Sequence, residues 1–347
     1  MNKKSIITGI IVLALVVLSF LNVLPESGVI TIVCNLGFIV AGFVMLIKGA
    51  DIFVDGASKI ATKFNIPQMV IGLTIVAFGT SLPEAAVSIK GALSGNAGIS
   101  VGNVVGSNIM NVLLILGVAS CVATLAIKNN TFKIEIPFVI VITVLMLVLG
   151  KNGEALSRLD GVIFLVLMAL FMVYLIISAK NGESDEQTVL SEKDTMIKLI
   201  LFVIIGAVCI VLGSNVTVDA ASYVAKQFNM SDRLIGLTIV AFGTSLPELV
   251  TSATAAKRGK VDIAIGNVVG SNIFNILFVV GMASVISKNP IAFEAGFVKD
   301  TIVAIAAVVL LFLCVMKNKK LTRTGGIIML SSYAAYFAYI MYMNYSA

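Results

Sequence analysis

The sequence predicts an all-α membrane protein made of two halves that enter the bilayer with opposite orientation. Three observations carry that reading. The chain of 347 residues is 59% hydrophobic and only 12% charged, with a mean hydropathy of +1.08, whereas a soluble domain is about a quarter charged. Its apolar runs recur at the roughly 20-residue length that crosses a bilayer. The string IGLTIVAFGTSLPE stands at Ile71–Glu84 and again at Ile235–Glu248, identical at all 14 positions, and GNVVGSNI at Gly102–Ile109 returns at Gly266–Ile273, both at an offset of 164.

The apolar runs place 11 spans, at 5–24, 29–50, 68–93, 99–124, 134–150, 160–178, 196–214, 232–256, 262–286, 299–316 and 325–344. The first follows Lys3 and Lys4 and no A-x-A-like cleavage site comes after it. Residues 1–28 therefore read as a retained signal-anchor helix outside the repeated halves. Those halves are 29–178 and 196–347. Between them lies Ala179–Thr195, a polar stretch of 17 residues with mixed charge, too short to build a core and read as a solvated cytoplasmic linker. With the N-terminus in the cytoplasm, 17 Lys and Arg fall on the inner side and 7 on the outer, so the C-terminus is expected outside. Lys48, Lys59 and Lys63 are counted with the inner set.

Five crossings separate the span of Glu84 from the span of Glu248. The number is odd, so the two copies enter from opposite faces, the inverted-repeat plan of secondary transporters. Asp55 matches Asp219 and Gly49 matches Gly213 at the same offset. Asp51, Asp55 and Asp219 lie near predicted span ends and read as interfacial or capping residues.

The net charge of +6 sits between spans, which suits orientation in a lipid bilayer and not nucleic-acid binding. The four cysteines are scattered singly, with no metal or disulfide spacing. Histidine is absent, which excludes imidazole ligands. Tryptophan is absent too, leaving an interfacial belt to Tyr333, Tyr336, Tyr339 and Tyr342.

The chemistry concentrates at the repeated strings. A carboxylate in mid-membrane costs about 2.5–3.5 kcal/mol on insertion scales, and neither glutamate's span carries Lys or Arg in its core. Ala77, Thr80, Ser81 and Glu84 are spaced by three, four and seven, which puts them on one helical face. Pro83 removes a donor and clashes with the carbonyl of Gly79, so the helix is expected to break and free carbonyls near Ala77–Thr80. The same holds for Ala241, Thr244, Ser245 and Glu248, with Gly243 and Pro247. Asn103, Ser107 and Asn111 add a second face at spacing four, matched by Asn267, Ser271 and Asn275. Gly102 with Gly106, and Gly266 with Gly270, form small-residue faces for close helix approach. Taken singly, a buried Ser or Thr most often bonds a carbonyl of its own helix, and a lone Asn in a span is often interhelical glue. Two duplicated glutamates are not explained that way.

Carboxylates, hydroxyls, amide oxygens and carbonyls are all hard donors, which suit Ca²⁺ or Na⁺ and not Zn²⁺ or copper. Two carboxylates balance one Ca²⁺, and equally several Na⁺ or protons. Mutually exclusive occupancy of one site gives antiport. Nothing points to an enzyme or to a cofactor, because no nucleophile–base pair or soluble domain is present. Inverted duplication also argues against a channel.

At these residues the sequence resembles the sodium/calcium exchanger branch of the cation/calcium exchanger superfamily. The signatures are GTSLPE at Gly79–Glu84 and Gly243–Glu248, with GNVVGSN at Gly102–Asn108 and Gly266–Asn272. They stand in order in both halves, and the resemblance runs from about residue 29 to 344. It implies a ten-helix core of two inverted five-helix repeats, to which the first span is additional. It implies Ca²⁺ and Na⁺ held by Glu84, Glu248, Ser81, Ser245, Thr80, Thr244, Ser107, Ser271, Asn111 and Asn275 and by the carbonyls of Ala77 and Ala241. Helices 29–50 and 196–214 look like that family's sliding gate. Some relatives, resembling the potassium-dependent ones, carry aspartate at a position matching Asn111 or Asn275. This chain has asparagine at both, which argues against K⁺ cotransport. Proton-coupled calcium exchangers look different at the first motif and make the nearest alternative. A short chain without a large regulatory insert suits a monomer in a prokaryotic inner membrane.

Overall fold

Hydropathy marks where the two gate-like helices begin, but not where they end. The structure is a computed structural model that describes residues 29–93, 98–181, 190–191, 194–228 and 241–345. The expected helix at 5–24 and the first part of the expected 232–256 span lie outside the described residues. Helix α1 runs Val29–Lys63, not to residue 50. Its stretch beyond Ala50 interleaves Asp51, Asp55, Ser58, Lys59 and Thr62 with apolar residues, so an apolar window closes early while the helical period continues. Asp51 and Asp55 thus lie within α1 and bond Arg258 (2.8 Å) and Lys59 (3.0 Å), neither capping nor at its end. Lys48 sits exposed in mid-helix.

The next span is broken. Helix α2 (Gln68–Thr80) meets α3 (Leu82–Leu93) at 51°. Then come α4 (Gly98–Val122), α5 (Thr131–Lys151) and α6 (Arg158–Asn181). Helix α7 is Met196–Gln227, again longer than expected, so Asp219 is interior to it. The second broken span supplies α8 (Ala241–Thr244) and α9 (Leu246–Lys257). Helices α10 (Val261–Ile286), α11 (Ala295–Met316) and α12 (Arg323–Tyr345) complete the chain. Among the described residues eight helices are long and apolar enough to cross a membrane, nine with the bent pair α2–α3, and α8 with α9 stand at the position of the remaining span of the ten-helix expectation.

Helices α4 and α10 form the centre, each with 78% of its apolar window buried, against 17% to 39% for α1, α5, α6, α7, α11 and α12. The outer helices turn apolar faces outward. On α7 these are Ile197, Ile200, Leu201, Ile204, Ile205 and Val208, spaced as one helical stripe. Such a face is stable against lipid, where the bilayer core supplies no water to drive it inward.

Short pairings at the two ends fix the threading. Strand β1 (Leu125–Ala126) pairs with β4 (Lys320–Leu321), and β2 (Ala155–Leu156) pairs with β3 (Ile291–Ala292), both antiparallel. Lys128 bonds Asp262 at 3.0 Å beside the first pair, and Arg158 donates to the Ser287 carbonyl at 3.2 Å beside the second. Each contact joins loops that alternation of crossings puts on the same face. The two strand pairs exchange under the repeat, so the halves are related by a two-fold in the membrane plane.

Helices α1 and α7 pack along a glycine seam. A Cβ on Gly49 would meet Cys209 Cβ at 2.8 Å and the Gly206 carbonyl at 3.0 Å, and one on Gly213 would meet the Gly42 carbonyl at 2.8 Å. Gly49 with Gly206 and Gly42 with Gly213 are the same contact seen from each half. The expected small-residue face of α10 also holds, since a Cβ on Gly266 or Gly270 would meet α2 backbone at 2.8 Å. The symmetric partners of Gly102 and Gly106 would fall within 229–240, outside the described residues.

The linker's last residues are not merely solvated. The Asp194 carboxylate is buried and bonds Lys198 at 2.9 Å and Lys59 at 3.3 Å, while Lys63 donates to its carbonyl at 3.0 Å. Lys198, then the Ser191 N–H, then Lys59 hold this carboxyl well below the usual carboxylate range. Asp194 thereby ties the end of α1 to the start of α7.

The seam makes a direct expectation. Gly49→Ala lowers the thermal unfolding midpoint of the purified protein, because backbone stands in the way. Gly37→Ala, where nothing lies within 4 Å, leaves the midpoint unchanged or raises it through helix propensity. Equal effects of the two would remove the seam's role.

Candidate functional site

Glu84 and Glu248 are each 1% exposed, and neither forms an ion pair among the described residues. Both sit in the first turn after a break. At the first, Ser81 leaves helical geometry (φ −86°, ψ 9°) two residues before Pro83, and at the second Ser245 does so (φ −93°, ψ 2°). The break is where the proline argument placed it, and a chain reversal of hydroxyl direction follows from it.

That reversal corrects the face read from spacing. Ser81 does not serve Glu84. Its hydroxyl lies 2.9 Å from Glu248 Oε1 and 2.9 Å from Ser271 Oγ. Ser245 lies 3.4 Å from Glu84 Oε1 and 3.4 Å from Ser107 Oγ. Each half thus lends its serine to the other half's glutamate. The two half-sites share composition but not tightness.

The Ala77 carbonyl is not bared by the break, as spacing had suggested: it accepts the Ser81 N–H at 3.0 Å. The Thr80 hydroxyl lies 3.4 Å from the same oxygen. Thr80 is buried, with its hydroxyl 3.0 Å from Asn267 Oδ1 and 3.2 Å from the Val76 carbonyl. Thr244 is half-buried beside Ser245, and Ala241 opens helix α8.

Asn103 and Asn267 are turned away from the serines that share their face. Asn103 Nδ2 reaches the Glu84 carbonyl (3.2 Å) and Ser88 Oγ (3.0 Å). Asn267 Nδ2 reaches the Glu248 carbonyl (3.4 Å) and Ser252 Oγ (2.9 Å). These amides hold each glutamate-bearing helix to the central one. Asn111 and Asn275 each open a π-helical stretch, Asn111–Ile115 and Asn275–Val280. Such widened turns recur at functional sites.

The oxygens left over define what the site lacks. Glu84 Oε2, Glu248 Oε2, Asn111 Oδ1 and Asn275 Oδ1 are buried with no hydrogen-bond partner among the described residues. All four are acceptors, two from each half. A buried acceptor without a donor costs about 1–3 kcal/mol, more when charged, so each of these oxygens calls for a proton donor or a cation. Among the described residues no group of three His, Cys, Asp or Glu gathers, which keeps the donor set to hard oxygen from mixed side chains.

The family description sodium/calcium exchanger protein matches residues 34–177 and, a second time, 198–342. The chain belongs to this exchanger family. Its two matched segments are the two halves described above. The chain is similar to the candidate antiporter CaxA of Alkalimonas amylolytica, 39% identical over 309 residues that cover 86% of this chain and 96% of the relative. It is similar to the sodium/calcium exchanger MaX1 of Methanosarcina acetivorans, at 32% identity over 350 residues, 90% of this chain and all of the relative (100%). A solved structure of the sodium-calcium exchanger NCX_Mj, soaked with zero Na⁺ and Ca²⁺, superposes with a TM-score of 0.77 at 34% identity, covering 88% of this chain and 98% of that one. The exchanger fold is thereby established for this chain, and the family is one of transporters, not of catalytic enzymes.

Duplication and spacing single out the glutamates, the serines and the asparagines that open the π-helical stretches. Spacing missed Asn108 and Asn272, which meet at the centre, and Ser88 and Ser252, which anchor the breaks. The duplicated GSN triplet was the available signal for the first pair. Only the second member of Ser88 and Ser252's contacts, across two helices, marks them out.

The unequal half-sites give a test. Ser81→Ala removes a 2.9 Å hydrogen bond to Glu248 Oε1 and costs about 1–3 kcal/mol of stability in ion-free protein, whereas Ser245→Ala, starting from 3.4 Å contacts, costs less. Denaturant unfolding of both variants in detergent measures the difference.

Proposed function

We propose that this chain is a secondary active antiporter that exchanges Ca²⁺ for Na⁺ by alternating access at a central site built on Glu84 and Glu248. The observation that carries the proposal is the set of four buried, unpartnered acceptor oxygens on Glu84, Glu248, Asn111 and Asn275. The full ligand set we assign is those four residues with Ser81, Ser245, Ser107, Ser271, Thr80 and Thr244 and the carbonyls of Ala77 and Ala241.

The electrostatics supply the coupling. One Ca²⁺ neutralises both carboxylates, and so do Na⁺ ions that occupy the same oxygens. An empty site holds two buried carboxylates with no counter-charge, so passage of the empty form across the membrane is unfavourable. Only loaded forms cross, which is exchange and not leak. The moving part in this reading is the α1–α7 pair, which the glycine seam and Asp194 hold as one body. Each is over 30 residues long, roughly 50 Å at 1.5 Å per residue. Such lengths exceed a core of about 30 Å, so each helix slants through it or reaches beyond it.

Residues 29–178 and 196–347 act as the two repeats in this proposal, with 179–195 between them on the cytoplasmic side. The N-terminus is cytoplasmic, the C-terminus outside, and the membrane a prokaryotic inner membrane. One chain supplies both halves of the site, so a monomer suffices. MaX1's name and the Na⁺ in the NCX_Mj soaks support the choice of Na⁺ over H⁺ as the driving ion.

Proteoliposomes with imposed gradients decide the coupling ion: Ca²⁺ flux follows the Na⁺ gradient and ignores the pH gradient. Flux driven by pH and indifferent to Na⁺ would replace Na⁺ by H⁺, and flux independent of any counterion would mean a channel. Glu84→Gln or Glu248→Gln abolishes Ca²⁺ uptake while the protein still folds, since each removes an uncompensated charge; uptake retained in both ends the proposal. Asn111→Asp shifts the Na⁺ and K⁺ dependence of exchange, and an unchanged dependence removes Asn111 from the ligand set.

A further inference from the structure

A carboxylate shows oxygen to an ion whichever way it turns, but an asparagine does not. Rotated by half a turn, the amide of Asn111 or Asn275 would present NH₂, and a cation would meet positive hydrogen. Two of the four oxygens that carry the proposed function are therefore correct only if something fixes the amide's sense.

The structure holds that device at the pseudo-two-fold axis. Asn108 Nδ2 lies 3.2 Å from the Asn272 carbonyl, and Asn272 Nδ2 lies 3.4 Å from the Asn108 carbonyl. A carbonyl only accepts, so neither amide can be reversed without setting oxygen against oxygen. That leaves one group of each facing outward: Oδ1. Asn272 Oδ1 takes the amide proton of Asn111 at 3.0 Å, and Asn108 Oδ1 takes that of Asn275 at 3.0 Å. All four side chains are at most 5% exposed. The remaining atoms, Asn111 Oδ1 and Asn275 Oδ1, are the two that have no partner among the described residues.

We propose that Asn108 and Asn272 are positioning residues that force the amides of Asn275 and Asn111, each in the opposite repeat, to aim oxygen and never nitrogen at the transported cation. The proposal rests on the reading of Asn111 and Asn275 as ligands. It extends that reading to two residues that touch no ion. The polarity of the site is set by a chain of four hydrogen bonds that begins at two main-chain carbonyls. The arrangement also keeps the site at two formal negative charges, since a neutral amide held one way does the work that an added carboxylate would do with a third charge.

An aspartate at position 111 needs no orienting group, and its oxygen would in fact be repelled by Asn272 Oδ1. This separates orientation from packing in a double-mutant cycle. Ca²⁺ binding is measured by titration calorimetry on four purified full-length proteins: wild type, Asn272→Leu, Asn111→Asp, and the two combined. Asn272→Leu is expected to weaken Ca²⁺ binding by about tenfold or more when residue 111 is asparagine, and by less than about twofold when it is aspartate. An equal loss in both backgrounds overturns the orienting role and leaves Asn272 as packing. Asn111→Leu is the separate check on the underlying reading: if it leaves Ca²⁺ binding intact, Asn111 is no ligand, whatever the cycle shows. The mirror cycle, Asn108→Leu with Asn275→Asp, tests the same claim should Asn272→Leu not fold, and the same two outcomes decide it.

Discussion

Two buried carboxylates without a cation of their own are the constraint on which the rest of this structure depends. Glu84 and Glu248 sit in a part of the membrane where an unbalanced charge is costly, and no Lys or Arg of the described chain answers them. Everything near them is arranged around that deficit. The helices that carry them break just ahead, which brings each glutamate to the start of a new helix. Serines cross from one repeat to the other to support one oxygen of each carboxylate. The second oxygen is left bare.

The surrounding fold encloses its central helices and leaves apolar faces of the others turned outward. Helices α4 and α10 are largely enclosed, and Asn103 and Asn267 lock the broken spans to them through main-chain carbonyls. Helices α1 and α7 pack on each other through close backbone approach at glycine, and they add Leu46, Phe53, Leu199 and Ile210 to the shared core. Besides the Asp194 tie to each other, the pair is joined to the broken spans by Arg258–Asp51 at 2.8 Å and by Ser214 Oγ donating to the Gly243 carbonyl at 2.7 Å, contacts that a shift of the pair would have to break.

Much of the architecture was legible in the chain because membrane sequence is subject to few choices. Apolar length gives the spans, the odd number of crossings gives the inversion, and proline gives the break. Where expectation and structure part, the causes are specific. The ends of α1 and α7 were missed because polar residues such as Asp51, Lys59 and Asp219 continue a helix after its hydropathy has fallen. Asp194 was taken for linker because nothing local reveals that Lys59 and Lys63 wait beside it. Ser81 was grouped with Glu84 because helical spacing assumes one straight helix, and the 51° bend turns its hydroxyl to the other repeat.

The sequence by itself determined the class of protein, the inverted duplication and the kinds of atom at the site, since composition, periodicity and proline chemistry act within one segment at a time. Only the tertiary structure decided which atoms of those residues face one another. Spacing assigns a side chain to a face, but the sense of an amide or the direction of a hydroxyl depends on partners about 160 residues away, brought together by the two-fold. Asn111 and Ser81 were both visible in the chain; that one shows its oxygen inward and the other serves the opposite glutamate is fixed by groups the other repeat supplies.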